Sequence, residues 1–476
     1  MEVYEKYLKN WKERVASNNS TFDIINPALG EVITSLPEMG KIETVNAIDK
    51  LEQGFSAWSS STFAQRASLL LKWAEIIEEN KNEIATLLTI EQGKPLSQAQ
   101  GEVSWAISLI RKYANVAENT HGYTPIQSNH YSETMITKQP IGIIGIITPW
   151  NFPVGISVSN IAGSISVGNV ALCKTSEETP LSVAVVIEMA YQAGIPDNVI
   201  QYLTAGNPQH IGDAICADYR VRMLSFTGST ATGKKLYEKS ASNVKKLLLE
   251  LGGNSPFIVY DDANIDKAVN DAAILKFKNC GQVCVNANRF FIHERVYDQF
   301  VEKLTKKAKE QITGNGLDPK TTMGPLINKK GLEKVQSLVK NAIKGGAALM
   351  CGGSLLREDS LFYAPTVLAN VSDTMDLFCH EIFGPVAACY KFSSENEVLN
   401  MANDTEYGLA AYCYTENLSR AFTFSKNIQS GNVAINSIEF NGGPFGGFKQ
   451  SGVGRSGGHI NPLEVFCETK TINIKF

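Results

Sequence analysis

Four short stretches of this 476-residue chain carry residue types that can do chemistry. In Asn279-Cys280-Gly281-Gln282-Val283-Cys284, a thiol sits beside Gly and Gln on what reads as a loop. A thiol becomes a nucleophile when it has a base, a positive local potential and access. Without them Cys284 would be one more small buried residue, as most cysteines are. In Leu248-Leu249-Glu250-Leu251-Gly252-Gly253, a lone carboxylate closes a strongly apolar strand. A charge there is costly unless paired or used, and burial moves its pKa towards that of a general base. The plain alternative for Glu250 is an ion-paired strand end.

Phe226-Thr227-Gly228-Ser229-Thr230-Ala231-Thr232-Gly233 follows an apolar strand and opens a helical segment, so free backbone N–H groups would face an anion. A tight strand–helix turn would use the same residues. Gly452-Val453-Gly454-Arg455-Ser456-Gly457 spells out the dinucleotide pattern GxGxxG. That pattern works with a strand before it, a helix opening on it and a second strand beyond. Only 19 residues follow Gly457, too few for such a unit.

These residues need elements to hold them. From Thr44 to about Asn119 the pattern is helical, with Ala67, Leu70, Leu71, Ala74 and Ile77 at three- and four-residue steps and Gly93-Lys94-Pro95 as punctuation. Short apolar runs then follow at Ile141–Ile147, Val170–Cys173, Val199–Leu203, Met223–Phe226 and Leu247–Leu251. Segments of helical length separate them; Thr179-Pro180 reads as N-cap and first residue of one helix, and Gly194-Ile195-Pro196 as its stop. Strands buried on both faces and alternating with helices predict a doubly wound parallel sheet, its ligand crevice beyond the carboxyl ends of the strands. A second α/β stretch has strand-like runs at Phe257–Tyr260, Phe290–His293, Pro385–Phe392, Leu409–Tyr414 and Asn432–Asn436. The Gly-rich run Gly442–Gly458 precedes a last β-like segment, Thr469–Lys475.

Composition narrows the classes. With 44 Lys plus Arg against 48 Asp plus Glu, the chain lacks the basic field that nucleic-acid binding needs. Nine scattered cysteines without a CxxC pair argue against a disulfide framework or a structural metal site and fit a reducing cytoplasm. The opening Met1–Lys6 has no apolar signal-peptide core. Residues 141 to 173 carry no charge, yet Pro149, Asn151, Pro153, Asn160 and Asn169 within them point to a buried strand–turn–helix rather than a membrane span.

Six motifs in register give the chain a resemblance: Thr148–Pro153, Phe226–Ser229, Glu250–Gly253, Asn279–Cys284, Glu381-Ile382-Phe383-Gly384-Pro385 and Pro444–Gly447. In these it resembles the NAD(P)-dependent aldehyde dehydrogenase superfamily, in its non-acylating branch. The resemblance implies two doubly wound parallel-sheet α/β domains plus a small β oligomerisation arm. The NAD-binding domain would span 1–118 and 141–252, the catalytic domain 253–452, and the arm 119–140 and 453–476. A homodimer or homotetramer is implied, because unpaired strand edges on an arm need a partner subunit.

The resemblance also implies roles. Cys284 would be the nucleophile that attacks an aldehyde, giving a thiohemiacetal and then a thioester. Asn151 and the Cys284 N–H would hold the oxyanion, and Glu250 would activate the hydrolytic water. Lys174 and Glu177 match the adenosine-ribose pair, and a carboxylate there repels a 2′-phosphate, so NAD is expected, with NADP possible because Thr175 replaces the family's usual Pro. Gly228 and Ser229 would face the pyrophosphate, Glu381 the nicotinamide ribose and Phe383 the nicotinamide ring. Ile147, Thr148, Pro149, Trp150, Gly233 and Leu251 complete the implied cofactor contacts. Many relatives carry Glu where Ser456 stands, so Glu250 would have to rely on water or backbone.

For the substrate, the motif wording is similar to the succinate-semialdehyde dehydrogenase group, which grips a carboxylate mainly with arginines. Asn119, Ser159 and Lys278 stand where such groups are expected, and only Lys278 attracts an anion; Glu439 repels one. Phe152, Lys278 and Phe440 are the substrate-side candidates, for succinate semialdehyde or a small aliphatic aldehyde. Asn286 excludes a disulfide two residues beyond Cys284, whereas Cys280 lies four before it. The alternatives are a CoA-acylating enzyme and a non-catalytic protein of the same fold.

Overall fold

The computed structural model describes Tyr7 and residues 16–119, 122–125, 132–440, 442–457 and 463–475. The Val-, Ile- and Leu-rich runs form five parallel strands, Ile143–Thr148, Val170–Thr175, Ile200–Leu203, Val221–Thr227 and Lys246–Glu250. Numbered along the chain, their order across the sheet is 5-4-1-2-3. This doubly wound order reverses beside the strand Ile143–Thr148, the place where open sheets of this kind bind ligands. The helical segment 41–116 and the crossover helices pack around it in one core, with Trp73, Ile77, Ile110, Ile144, Leu172 and Ile187 fully buried. The uncharged stretch 141–173 is strand, turn, helix (Pro153–Ser166) and strand inside that core. No helix among the described residues is long and apolar enough to cross a membrane.

A second sheet has six parallel strands, Ser255–Val259, Ala287–His293, Thr366–Ala369, Val386–Phe392, Ala410–Tyr414 and Asn432–Ile435, and an antiparallel edge, Ala348–Cys351. It has a separate core, in which the Phe257 ring touches those of Phe290, Phe300 and Tyr412. The two sheets meet with opposite polarity. The first offers the carboxyl ends of its strands, with Thr148–Asn151, Lys174–Glu177, Thr227–Ser229 and Glu250; the second offers amino ends, with Gly253, Cys284 and Glu381–Phe383 just ahead of their strands. Across the junction the rings of Trp150 and Phe383 stand edge to face at 5.5 Å.

The strands Ser132–Pro140 and Cys467–Lys475 form an antiparallel ribbon apart from both sheets, with nine residue pairs from Ser132↔Lys475 to Pro140↔Cys467. Met1–Lys6 and residues 120–121, 126–131, 458–462 and 476, which carry part of the expected arm, lie outside the described residues.

Several details differ from the sequence reading. The hairpin Thr21–Ile25/Val32–Pro37 and the short strands Ala348–Cys351 and Thr366–Ala369 were not expected. The helix Leu181–Gln192 starts after Pro180 and takes no cap from Thr179; the buried Glu91 carboxylate instead accepts from the N–H groups of Leu181 and Ser182 at 2.8 and 2.9 Å. Gly452–Val453 pairs antiparallel with Glu250 and Leu249, so the GxGxxG run begins as an edge strand of the first sheet. The expected division at 452/453 falls inside that strand.

Candidate active site

Cys284 lies on the loop between the helix Ile265–Phe277 and the strand Ala287–His293, half-buried and with a free thiol. The loop is tightly determined. Asn279 and Cys280 adopt left-handed backbone angles, with φ of 50° and 56°, which cost non-glycine residues of order 1 kcal/mol each. Gly281 is left-handed too, and a Cβ there would stand 2.1 Å from the Gly384 carbonyl oxygen. Side-chain amides enforce this path. Asn279 Oδ1 accepts from Gln92 Nε2 at 3.0 Å, and Asn279 Nδ2 donates to the carbonyls of Asn151 and Gln282. Gln282 Nε2 donates to the Pro325 carbonyl, and its Oε1 accepts from Ile327 N at 2.9 Å.

Asn151 comes to the same place from the other sheet. It is buried, and its Nδ2 donates to the Gln282 carbonyl at 3.1 Å, two residues before the thiol. An amide nitrogen has two hydrogens, so one fixes the group and the second stays free to bind an oxyanion.

Glu250 ends its strand buried, with neither carboxyl oxygen hydrogen-bonded. Burial pushes its pKa up to about 8, opposed by the Arg455 charge, so it is largely protonated at neutral pH. Burial, then the Glu250 and Glu381 carboxylates, push the Cys284 thiol up to about 12. The positive local potential that would activate a thiol is thus replaced here by two acidic neighbours. Glu381 accepts from Gly253 N at 2.9 Å, and burial raises it as well, against the pull of Lys334 and Lys276. A Cβ on Gly252 would stand 3.1 Å from a Glu381 carboxyl oxygen, so the glycine admits that carboxylate.

At the strand-order reversal the loops fit an adenine dinucleotide. Ser229 caps the helix Thr230–Ser240, its Oγ accepting from Thr232 N. A Cβ on Gly233 would lie 2.5 Å from the Leu251 side chain, so the helix packs hard against the segment after Glu250. Thr148 Oγ1 is 2.7 Å from Ser157 Oγ, fixing the turn from Ile147 through Pro149 to Trp150. Lys174 is buried with its ammonium 3.3 Å from the half-exposed Glu177, and the Glu38 carboxylate also acts on it. Glu38 is held by the N–H groups of Gly206 and Asn207. A glycine-bearing helix start at the switch point, with a carboxylate beside it for ribose, is what such a cofactor requires.

Residues 14–472 match the model of the aldehyde dehydrogenase family. The chain belongs to that family. It is 41% identical over 461 residues to the glutarate-semialdehyde dehydrogenase of Pseudomonas putida, covering 96% of this chain and 95% of that protein. An Escherichia coli succinate-semialdehyde dehydrogenase described as NADP(+)-linked is 40% identical over 457 residues, covering 96% and 94%. The crystal structure of a succinate-semialdehyde dehydrogenase from Burkholderia pseudomallei matches with a TM-score of 0.95 at 40% identity, over 97% of this chain and 96% of that one. The family, the α/β architecture and an aldehyde-oxidising activity that uses a nicotinamide dinucleotide, all expected from the motifs, are borne out.

The substrate-side candidates of this aldehyde dehydrogenase differ in their surroundings. Phe152 is half-buried, its ring 6.0 Å from the ammonium of the exposed Lys278. Phe440 packs on Tyr412 at 5.4 Å, and Tyr412 donates to the carbonyl of Val285, next to Cys284. Ser159 is 3.2 Å from the Tyr113 hydroxyl, and Glu439 is exposed. Ser456 pairs its main chain with Phe445, and Arg455, not Ser456, is the charged neighbour of Glu250. Cys280 is buried and its thiol pushed up by burial. Sequence reading missed Glu91, Lys94 and Glu102, charged groups that are almost completely buried. The only signal for Glu91 and Glu102 was a charge on an otherwise apolar helix face, and Lys94 stands in the break between two helices.

Proposed function

We propose that the enzyme oxidises succinate semialdehyde, or an aldehyde close to it in size and charge, to the free acid with NAD preferred. The observation that carries this reading is Glu250, a buried carboxyl without a hydrogen-bond partner that acts directly on the Cys284 thiol. A base in that position suits hydrolysis rather than transfer of the acyl group to CoA. The names of the relatives favour a semialdehyde, and Lys278 is an exposed cation beside the Phe152 ring.

Cys284 gives its proton to solvent water and its sulfur bonds to the aldehyde carbon. The oxygen becomes an oxyanion held by the free hydrogen of Asn151 Nδ2 and the Cys284 N–H. Losing one such donor typically costs about 2.7–4 kcal/mol of barrier. The bound dinucleotide supplies the hydride acceptor. The carbon is left as a thioester on Cys284. Glu250, in its ionised form, takes a proton from water as that water's oxygen bonds to the acyl carbon. The C–S bond then breaks, giving the carboxylic acid, and the leaving sulfur takes the proton that Glu250 holds, which restores both the thiol and the ionised carboxylate. Gly228, Ser229, Lys174, Glu177, Glu381 and Phe383 would hold the cofactor, and the carboxylates of Glu177 and Glu38 around Lys174 disfavour a 2′-phosphate.

The same reading assigns 1–118 with 141–252 to cofactor binding, 253–452 to catalysis and 119–140 with 453–476 to an oligomerisation arm. It makes the enzyme a cytoplasmic homodimer or homotetramer. Steady-state rates with succinate semialdehyde, propanal and benzaldehyde, with and without CoA, test it. The semialdehyde should have the highest kcat/KM, without need for CoA, and Cys284→Ala should abolish NADH formation. Lys278→Ala should weaken succinate semialdehyde about fivefold, the worth of one exposed ion pair, and leave propanal unchanged. A kcat/KM for the semialdehyde no better than for propanal refutes the substrate.

A further inference from the structure

Lys94 lies in the link between the helices Lys81–Gln92 and Leu96–Val116, and its side chain is almost wholly buried. Its ammonium donates to Glu102 Oε2 at 2.5 Å and to the main-chain carbonyl of Asn151 at 2.7 Å, and it stands 4.3 Å over the Phe152 ring. The other Glu102 oxygen accepts from Val154 N at 2.9 Å and from Gly155 N at 3.1 Å. Those N–H groups open the helix Pro153–Ser166 and have no partner within it. One ion pair thus grips the turn Asn151-Phe152-Pro153 on both sides, the cation ahead of it and the carboxylate behind. Lys94 N donates to Gln92 Oε1, and Gln92 also holds Asn279, so the grip runs on into the Cys284 loop.

Stability alone does not explain such a pair, because a buried ion pair is often no better than well-packed apolar residues. It does fix a backbone in place. We infer that Lys94 and Glu102 are positioning residues that set the Asn151 amide on the oxyanion site and tie it to the nucleophile loop. The inference rests on the role of Asn151 proposed above.

The test is a double-mutant cycle between Lys94→Met and Asn151→Ala in the full-length enzyme with saturating cofactor. Asn151→Ala keeps the main-chain carbonyl that Lys94 grips and removes only the amide. Lys94→Met alone should lower kcat roughly 10²-fold, the cost of a misplaced catalytic group, with the KM for aldehyde and the Kd for NAD little changed. Lys94→Arg, which keeps the charge, should recover part of the loss. In the Asn151→Ala background, Lys94→Met should cost no more than about threefold, because its effect passes through the amide. Losses that multiply, or full kcat in Lys94→Met, overturn the inference. Full kcat in Asn151→Ala instead refutes the oxyanion assignment. Should Lys94→Met fail to fold, Glu102→Gln, which keeps an acceptor for the helix N–H groups, takes its place under the same criteria.

Discussion

A Cβ carbon on Gly253 would stand 2.5 Å from the main-chain carbonyl oxygen of Cys284. The nucleophile's backbone therefore rests directly on that glycine, whose N–H also holds Glu381. Gly253→Ala must displace the Cys284 segment, because the opposing atom is backbone. The variant should fold but lose roughly 10²-fold in kcat, the order that a misplacement of about 1 Å costs. Circular dichroism and steady-state rates measured together check this.

Glu250 gives a pH dependence with a definite sign. The ionised form is the base, and burial holds the pKa near 8. The rate of thioester hydrolysis should rise with pH through about 8 and level off above it, and Glu250→Gln should remove both the step and most of the turnover.

The same group acts on stability. Its folded pKa of about 8 lies above the ordinary glutamate value of 4.5, so between those values the folded state binds the extra proton and stability falls as pH rises. Glu250→Gln, neutral at every pH, should therefore stabilise the protein at pH 7 by on the order of 3 kcal/mol, with no gain near pH 4. Denaturant melts at the two pH values measure this.

Cofactor choice should turn on Glu177. Its carboxylate is half-exposed, and its pairing with Lys174 spans 3.3 Å. Glu177→Gln keeps a ribose hydrogen bond and removes the charge that would oppose a 2′-phosphate. The ratio of kcat/KM for NADP to that for NAD should rise about tenfold or more.

The nine-pair ribbon should matter to assembly. Two strands alone are marginally stable in water, and the outer one, Cys467–Lys475, is largely exposed. Deleting residues 469–476 should give monomers or aggregates by light scattering; an intact oligomer would count against the arm.

Much of this was legible in the residues. The strands of the first sheet read clearly because both faces are buried, so Ile143–Ile147 and Val170–Cys173 carry no polar side chain. The strand Thr366–Ala369 is also fully buried, but four residues are too short a run to separate from a loop. Gly93-Lys94-Pro95 reads as a break, and Gly93, with φ of 90°, does end a helix. Nothing local says that Lys94 then turns inward, because its acceptor on Asn151 lies far along the chain. Glu91 and Glu102 were hidden in the same way: an acidic residue in a helix looks solvated until the helix start it caps is folded against it. The raised Cys284 thiol was likewise invisible, since two distant segments bring the carboxylates to it.

Because one sheet contributes where its strands finish and the other where its strands begin, the reacting set as a whole belongs to neither half. A tilt between the two bodies would detune sulfur, amide and carboxyl together. Turnover is therefore a gauge of how the halves are set, and substitutions along that seam can alter the rate without touching any atom that reacts.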